Sequence, residues 1–133
     1  MQAAVREFVR NRAEDRCEYC RMPQVAIDAT FHVDHVIARQ HVEQVEDDPE
    51  HLALACDRCN FYKGTNLSTV DPESGDIVPL FNPRQDIWEE HFLFAEASLV
   101  GLTPIGRATL RLLNMNARNR LELRSWLIEE GIL

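Results

Sequence analysis

The sequence lacks the features of membrane and secreted proteins. No stretch approaches the roughly 18 consecutive apolar residues that a membrane span needs, so no membrane contact is expected. Residues 1–12 mix Arg and Glu with apolar residues and lack the apolar run and cleavage site of a signal peptide. The chain also has no internal repeat and no low-complexity tract. We therefore expect a cytoplasmic protein.

Positive charge is scarce. Lys and Arg number 14 against 22 Asp and Glu, which gives a net charge of −8. This balance argues against a protein that binds nucleic acid over its whole surface. If the ends fold together, their arginines could form a local basic face that meets phosphates; alternatively, each is a solvated helix residue with a Glu partner. Acidic residues dominate the middle and arginines both ends: Glu43, Glu46, Asp47, Asp48, Glu50; Arg6, Arg10, Arg12, Arg16, Arg21; Arg107, Arg111, Arg118, Arg120, Arg124.

Cysteine is confined to two Cys-x-x-Cys pairs, Cys17/Cys20 and Cys56/Cys59. In a secreted chain they could form two disulfides, and a single such motif in a βαβ unit would suggest a thiol oxidoreductase. In a reducing cytoplasm two pairs indicate one tetrahedral Zn²⁺, bound by thiolates at about 2.3 Å. We expect a structural zinc site whose loss unfolds the core.

A length of 133 residues favours one domain, residues 1–133, of the α+β class. The periodicity predicts a helix over 2–15 and a strand over 30–37. A loop over 39–50 separates this strand from a second one at Leu52–Ala55. A short helix over 58–62 should end at Gly64, which completes a ββα unit.

The residues after 66 form a different kind of segment. A turn over 71–76 lies between two short apolar stretches, and 86–90 suits one helical turn. Residues 92–100 could hold one or two strands. Thr103-Pro104 should start a helix that runs to about residue 113. A last helix over 118–130 is expected to turn Leu121, Trp126 and Leu127 inward.

The candidate site combines Asp34 and His35 with Asn60, which directly follows the second cysteine pair. An ideal strand points Asp34 and His35 to opposite faces, so we expect the strand to end at His35. Histidine is a natural general base at neutral pH, and carboxylate and amide oxygens suit Mg²⁺ or Mn²⁺. His35 would then be the base, with Asp34 and Asn60 holding the ion. Lys63 either contacts a phosphate or is solvated at its helix end.

Three stretches carry a resemblance to a known family. They are Arg12-Ala13 with Arg16-Cys17-Glu18-Tyr19-Cys20; Phe31-His32-Val33-Asp34-His35-Val36-Ile37; and Leu52-Ala53-Leu54-Ala55-Cys56 with Cys59-Asn60 and Lys63-Gly64-Thr65. Over residues 12–66 the chain resembles the zinc-containing bacterial HNH endonucleases. The tail, 67–133, also resembles extensions found in one subgroup of that family, notably at 80–84, 88–92 and 101–109. The resemblance implies a ββα-metal fold and metal-dependent cleavage of DNA. It also implies His35 as general base, with Asp34 and Asn60 as ligands of the catalytic ion.

The chain departs from the family pattern at His51, where relatives have an Asn thought to orient the catalytic histidine. His51 could donate the same hydrogen bond, act as a third metal ligand, or impair the site. The loop after the base also differs, so His41 either faces a phosphate or is an exposed loop residue. His32 could reach the metal or be a packed strand residue. The rival interpretation is a non-catalytic zinc module that binds nucleic acid or a protein partner, which the acidic balance and His51 favour slightly.

Overall fold

The computed structural model describes residues 1–44 and 47–133, so Glu46 lies outside the described residues. In this part of the chain, five α-helices alternate with three two-stranded antiparallel sheets, which confirms the α+β class. None of these helices is long and apolar enough to cross a bilayer. In chain order the elements are α1 Ala3–Arg12, β1 His32–His35, β2 Leu52–Ala55, α2 Asp57–Lys63, β3 Ser68–Val70, β4 Ile77–Pro79, α3 Trp88–His91, β5 Phe92–Ala95, β6 Ser98–Gly101, α4 Pro104–Leu112 and α5 Arg118–Glu129.

The first sheet sets the position of the candidate site. Strands β1 and β2 pair antiparallel, with His35 opposite Leu52 and Asp34 opposite Ala53. Strand β1 is shorter than the predicted 30–37 and ends at His35, as expected. Strand β2 has the predicted bounds, and all four of its residues are buried. The predicted order of strand, loop, strand and helix is therefore present.

Helix α2 begins directly after Cys56, whose Sγ accepts a hydrogen bond from the backbone N–H of Cys59 at 3.4 Å. Asp57 in its first turn is favourable to the helix dipole. The helix ends at Gly64, where φ is +51°. A side chain rarely adopts this backbone conformation, so the glycine specifies the predicted end of the helix.

The extension is organised around the buried carboxylate of Asp71, in the turn between β3 and β4. Its Oδ1 accepts a hydrogen bond from Arg107 Nε at 3.0 Å, and its Oδ2 accepts one from Arg107 Nη2 at 2.8 Å. The hydroxyl of Ser74 also donates to Asp71, at 2.7 Å. The hydrogen bonds between Asp71 and Arg107 join the predicted turn to α4. The first turn of α4 is capped by the hydroxyl of Thr103.

Helix α5 has the predicted position but a different inward face. Leu127 is buried as expected, whereas Trp126 is 52% exposed, so the inward orientation predicted for Trp126 is wrong. The buried residues of α5 are Arg120, Arg124 and Leu127. Spacings of four and three residues place these three on one helix face, so the inward face of α5 contains two arginines that were not predicted there.

The extension packs against the first cysteine pair and the start of α2. Arg84 forms an ion pair with Glu18, which lies between the first two cysteines. The indole N–H of Trp88 donates to the backbone oxygen of Tyr19 at 2.8 Å. On the other side, Arg120 is paired with Asp57 at 2.9 Å.

Candidate functional site

The four cysteines form one buried cluster. All their sulfur atoms lie within 4.8 Å of one another, and those of Cys20 and Cys56 are 3.7 Å apart. A regular tetrahedron of thiolates at about 2.3 Å from Zn²⁺ separates the sulfurs by about 3.8 Å. The cluster therefore fits a structural zinc ion held by four thiolates.

Backbone geometry brings the two cysteine pairs together. The N–H of Cys20 points to Cys17 Sγ at 3.5 Å, as that of Cys59 does to Cys56 Sγ. Glu18 then fastens the first pair to β2: its backbone N–H donates to Leu54 O at 2.8 Å, and its Oε2 accepts from Leu54 N–H at 2.7 Å. Because β2 leads directly into Cys56, this double contact holds the two pairs side by side.

The thiols affect one another's ionisation. Burial raises the pKa of Cys17, and hydrogen bonding to neighbouring thiols raises that of Cys59. The pKa of Cys56 is lowered, because the thiols of Cys17 and Cys20 donate hydrogen bonds to it. A divalent cation would take the place of the thiol protons, since metal binding to thiolates releases them.

Asp34 is paired with a lysine. Lys63 Nζ lies 2.9 Å from Asp34 Oδ2, at an angle that makes an ion pair without an aligned hydrogen bond, and it donates to the backbone oxygen of His35 at 3.2 Å. Lys63 is 2% exposed, so neither expectation for it, phosphate contact or a solvated helix end, is met. Burial raises the pKa of Asp34 above 3.8, although the charge of Lys63 opposes this effect.

His35 points to a different environment. Its Nε2 lies 2.9 Å from Oδ1 of Asp47, in the loop between β1 and β2. The hydrogen bond to His35 lowers the pKa of Asp47. His35 also lines a cavity of about 310 Å³ whose other lining residues are Val36, Ile37, Val42, Gln44, Glu50, His51, Asn82, Arg84 and Gln85. The side chains of Asp34 and His35 thus have separate partners, Lys63 and Asp47.

Of the other predicted site residues that the structure describes, His51 lines this cavity, whereas Asn60, His32 and His41 do not. His51 is exposed and lines the cavity with His35, and its backbone oxygen accepts from Val36 N–H at 2.9 Å. Asn60 is half-buried on α2, one turn before Lys63, and is not among the described residues that line the cavity. His32 is exposed on β1. His41 is also exposed, and its Nε2–H donates to Thr65 O at 2.8 Å.

Two residues near His35 were missed in the sequence. Asp47 was counted only as part of an acidic loop, and no local pattern marks it as the partner of a histidine 12 positions away. Arg84 stands in the Asn82-Pro83 turn of the extension, and its proximity to His35 depends on how the extension packs. The one available indication for Arg84 was its place in a stretch that resembles a family extension.

Comparison with known proteins bears on the segment that contains the cysteines and the site residues predicted from sequence. Residues 17–66 match the family model of the HNH endonucleases. The matched segment contains both cysteine pairs, Asp34, His35, His51 and Asn60. The family resemblance seen in the sequence is therefore confirmed for this HNH segment, and the cysteine cluster is compatible with the zinc-containing type. No curated protein and no solved structure matches the chain.

Proposed function

We propose that this protein is a metal-dependent endonuclease that hydrolyses DNA phosphodiester bonds, with His35 as its general base. The observation that carries the proposal is the position of His35. It stands at the end of β1, beside a cavity, with one ring nitrogen held by Asp47. Together with the HNH match over 17–66, this favours β1, β2 and α2 as a ββα-metal core.

Asp47 prepares His35 for this role. A carboxylate can only accept a hydrogen bond, so the proton of neutral His35 lies on Nε2, which leaves the lone pair of Nδ1 for an attacking water. When Nδ1 takes the water's proton, the charge of Asp47 stabilises the resulting imidazolium. This is the division of labour between base and orienting carboxylate in hydrolytic triads.

Asp34 and Asn60 are the proposed ligands of a catalytic Mg²⁺ or Mn²⁺. Their carboxylate and amide oxygens are suitable donors for these ions, which often bind to one or two protein ligands and the substrate phosphate. Asp34 Oδ2 is buried beside Lys63 Nζ, and a carboxylate oxygen has a second lone pair that a cation could use. When bound, such an ion would stabilise the charge on the scissile phosphate and on the departing oxygen.

Lys63 competes with this ion. Its ammonium sits 2.9 Å from the same carboxylate oxygen, so a cation that binds Asp34 must share or displace an existing positive charge. The affinity of the site should therefore depend on the phosphate of the substrate, whose negative charge compensates the additional cation. We therefore propose that the ion and the DNA bind together. We also propose that the protein works in a reducing cytoplasm, where the thiolates remain available for zinc.

Part of the cavity wall comes from the extension. Asn82, Arg84 and Gln85 line the cavity together with His35 and His51, so two amide side chains and an arginine border the same space as the base. We propose that His51 occupies the family's middle position and contributes a hydrogen bond there. This arrangement favours a substrate that presents phosphate oxygens to the cavity.

The test is cleavage of supercoiled plasmid by zinc-loaded protein with Mg²⁺ or Mn²⁺. His35→Ala should lose about 10²- to 10⁴-fold in rate, the usual contribution of a general base, and should keep its zinc. His32→Ala is the matched control, because His32 is an exposed histidine of the same strand. Undiminished cleavage by His35→Ala would remove His35 from the mechanism.

The alternative function is a non-catalytic zinc module that binds nucleic acid or a protein. The ion pair between Lys63 and Asp34 favours it, because a neutralised carboxylate has less need of a metal. Within this alternative, the net charge of −8 favours a protein partner over nucleic acid. Folded, zinc-loaded protein that cuts no plasmid with either ion, and that shifts no DNA in a gel, would favour the protein-binding form of this alternative.

A further inference from the structure

Helix α5 buries two guanidinium groups, and both belong to residues outside the HNH segment. Arg124 is 0% exposed. Its Nη1 donates to Ala97 O at 2.6 Å and its Nη2 donates to Met115 O at 2.9 Å. Both acceptors are neutral carbonyls, and Nε has no acceptor among the described residues. The positive charge of Arg124 is therefore buried without a carboxylate within ion-pair distance in this part of the chain.

Arg120, one turn earlier, brings the same helix face to the second cysteine pair. It is 6% exposed, and its Nη2 lies 2.9 Å from Oδ1 of Asp57. Asp57 is the first residue of α2 and lies between Cys56 and Cys59. Nη1 of Arg120 is buried and has no acceptor among the residues described. Arg120 thus reaches the turn that carries Cys56 and Cys59, Arg124 lies one helical turn further along the same buried face, and each guanidinium has one nitrogen without an acceptor in the described part of the chain.

The cysteine cluster is a source of opposite charge for Arg124. Burial lowers the pKa of Arg124; negative charge on Cys20, Cys59 and Cys56 opposes this effect, whereas the positive charge of Arg120 adds to it. Four thiolates around one Zn²⁺ retain two net negative charges. In a buried site such a charge is costly unless cations lie close to it. The buried guanidiniums of Arg120 and Arg124 are cations that could meet this requirement.

We propose that Arg124, assisted by Arg120, is the charge partner of the zinc–thiolate cluster, so that the C-terminal helix is part of the zinc site. The cations lower the electrostatic cost of collecting four thiolates, and the cluster lowers the cost of burying the cations. The extension and the HNH segment therefore stabilise each other through the metal. This inference concerns zinc affinity and does not depend on whether the protein cuts DNA.

The experiment compares Arg124→Gln with Arg124→Lys in the full chain. Both new side chains can donate to the carbonyls of Ala97 and Met115, but only lysine keeps the charge. Zinc affinity is measured by competition with a chromogenic chelator. Arg124→Gln should bind zinc about 10- to 100-fold more weakly, the usual effect of losing a group that supports the metal ligands. Arg124→Lys should remain close to wild type.

Arg118→Gln is the matched control, since Arg118 lies on the same helix with a side chain 93% exposed. It should leave zinc affinity unchanged. Equal losses in Arg124→Gln and Arg124→Lys would show that shape and hydrogen bonding matter and charge does not, which overturns the proposal. Wild-type protein that binds no zinc, or Arg124→Gln that binds it as tightly as wild type, would do the same.

A second pair covers the case in which Arg124 variants fail to fold. Arg120→Gln and Arg120→Lys act at the edge of the cluster, where Arg120 is paired with Asp57. Arg120→Gln should weaken zinc binding severalfold and Arg120→Lys should not. The same measurement on Co²⁺-loaded protein, read from the thiolate charge-transfer band, reports directly on the sulfur ligands. Equal Co²⁺ affinity in the two variants would overturn the proposal.

Discussion

Lys63 Nζ lies 2.9 Å from Asp34 Oδ2, so the carboxylate proposed to hold the catalytic ion already has a cationic partner. Both side chains are largely buried, with 3% and 14% of their surfaces exposed. Removing one member of a buried pair leaves the other uncompensated, which is strongly destabilising. A divalent ion is the group that could take the place of the lost charge.

Lys63→Met should therefore lower the stability of the metal-free protein and increase its response to Mn²⁺. The thermal midpoint, measured with and without Mn²⁺, should rise more in Lys63→Met than in wild type. Arg58→Met, on the same helix, is the control and should respond like wild type. A variant that is destabilised but no more responsive to Mn²⁺ would argue against a metal ligand at Asp34.

Asp47→Asn should slow plasmid cleavage at least about tenfold, as part of the contribution of an oriented general base. The amide can still accept from His35, but it cannot stabilise the imidazolium and can hold the ring in the wrong tautomer. The rate is measured under single-turnover conditions with Mg²⁺. Asp48→Asn is the matched control, because Asp48 is the adjacent exposed residue; equal rates in both variants and wild type would show that Asp47 does not position the base.

Removing zinc should unfold the protein. The apparent binding free energy of a structural zinc ion is about 10–16 kcal/mol, which exceeds the roughly 5–15 kcal/mol of net stability in a typical domain. A strong chelator, or Cys56→Ser, should therefore abolish the cooperative thermal transition seen by circular dichroism. Re-addition of Zn²⁺ should restore it after chelation. A chelated protein that melts at the same temperature would contradict the structural role of the cluster.

Asp71 should make the extension sensitive to acid. Its hydrogen bonds with Arg107 hold the pKa of Asp71 well below the ordinary 3.8. A depressed pKa contributes stability that is present above 3.8 and is lost as the pH falls through and below this value. Asp71→Asn should thus be less stable than wild type at pH 7, and this difference should shrink towards pH 2. Urea unfolding at both pH values tests it; a constant difference would exclude the linkage.

His51→Asn distinguishes the possible roles of His51. If the residue occupies the middle position of the HNH pattern, asparagine restores the usual side chain, and cleavage should stay the same or increase. If His51 is a metal ligand, cleavage should fall sharply and should recover in part at high Mn²⁺ concentration. The plasmid assay with increasing Mn²⁺ separates these two results.

Local chemistry made some elements predictable from sequence. The apolar run of β2, the Thr103-Pro104 start of α4 and Gly64 at the end of α2 each follow from a local backbone or burial preference. The cysteine spacing likewise indicated a single cluster. Each of these features depends on only a few neighbouring residues.

Long-range ion pairs were not predictable in the same way. Lys63 meets Asp34 across 29 positions, and Arg120 meets Asp57 across 63. Hydrophobic periodicity assigns charged residues to solvent. The sequence pattern therefore predicted that Trp126 faces inward and that Arg124 does not. The rule fails here because each arginine finds its partners in other segments: Arg120 pairs with Asp57, and Arg124 donates to the backbone oxygens of Ala97 and Met115. Such compensation is visible only once distant segments are in contact.

Lys63 is the chain's single lysine, and it is buried. The protein therefore offers no lysine amine at its surface, where arginine carries the permanent positive charge of the side chains. Amine-directed labelling of Lys63 can proceed only when its contact with Asp34 opens. The labelling rate of Lys63 therefore measures how often this one contact opens, without background from other lysines.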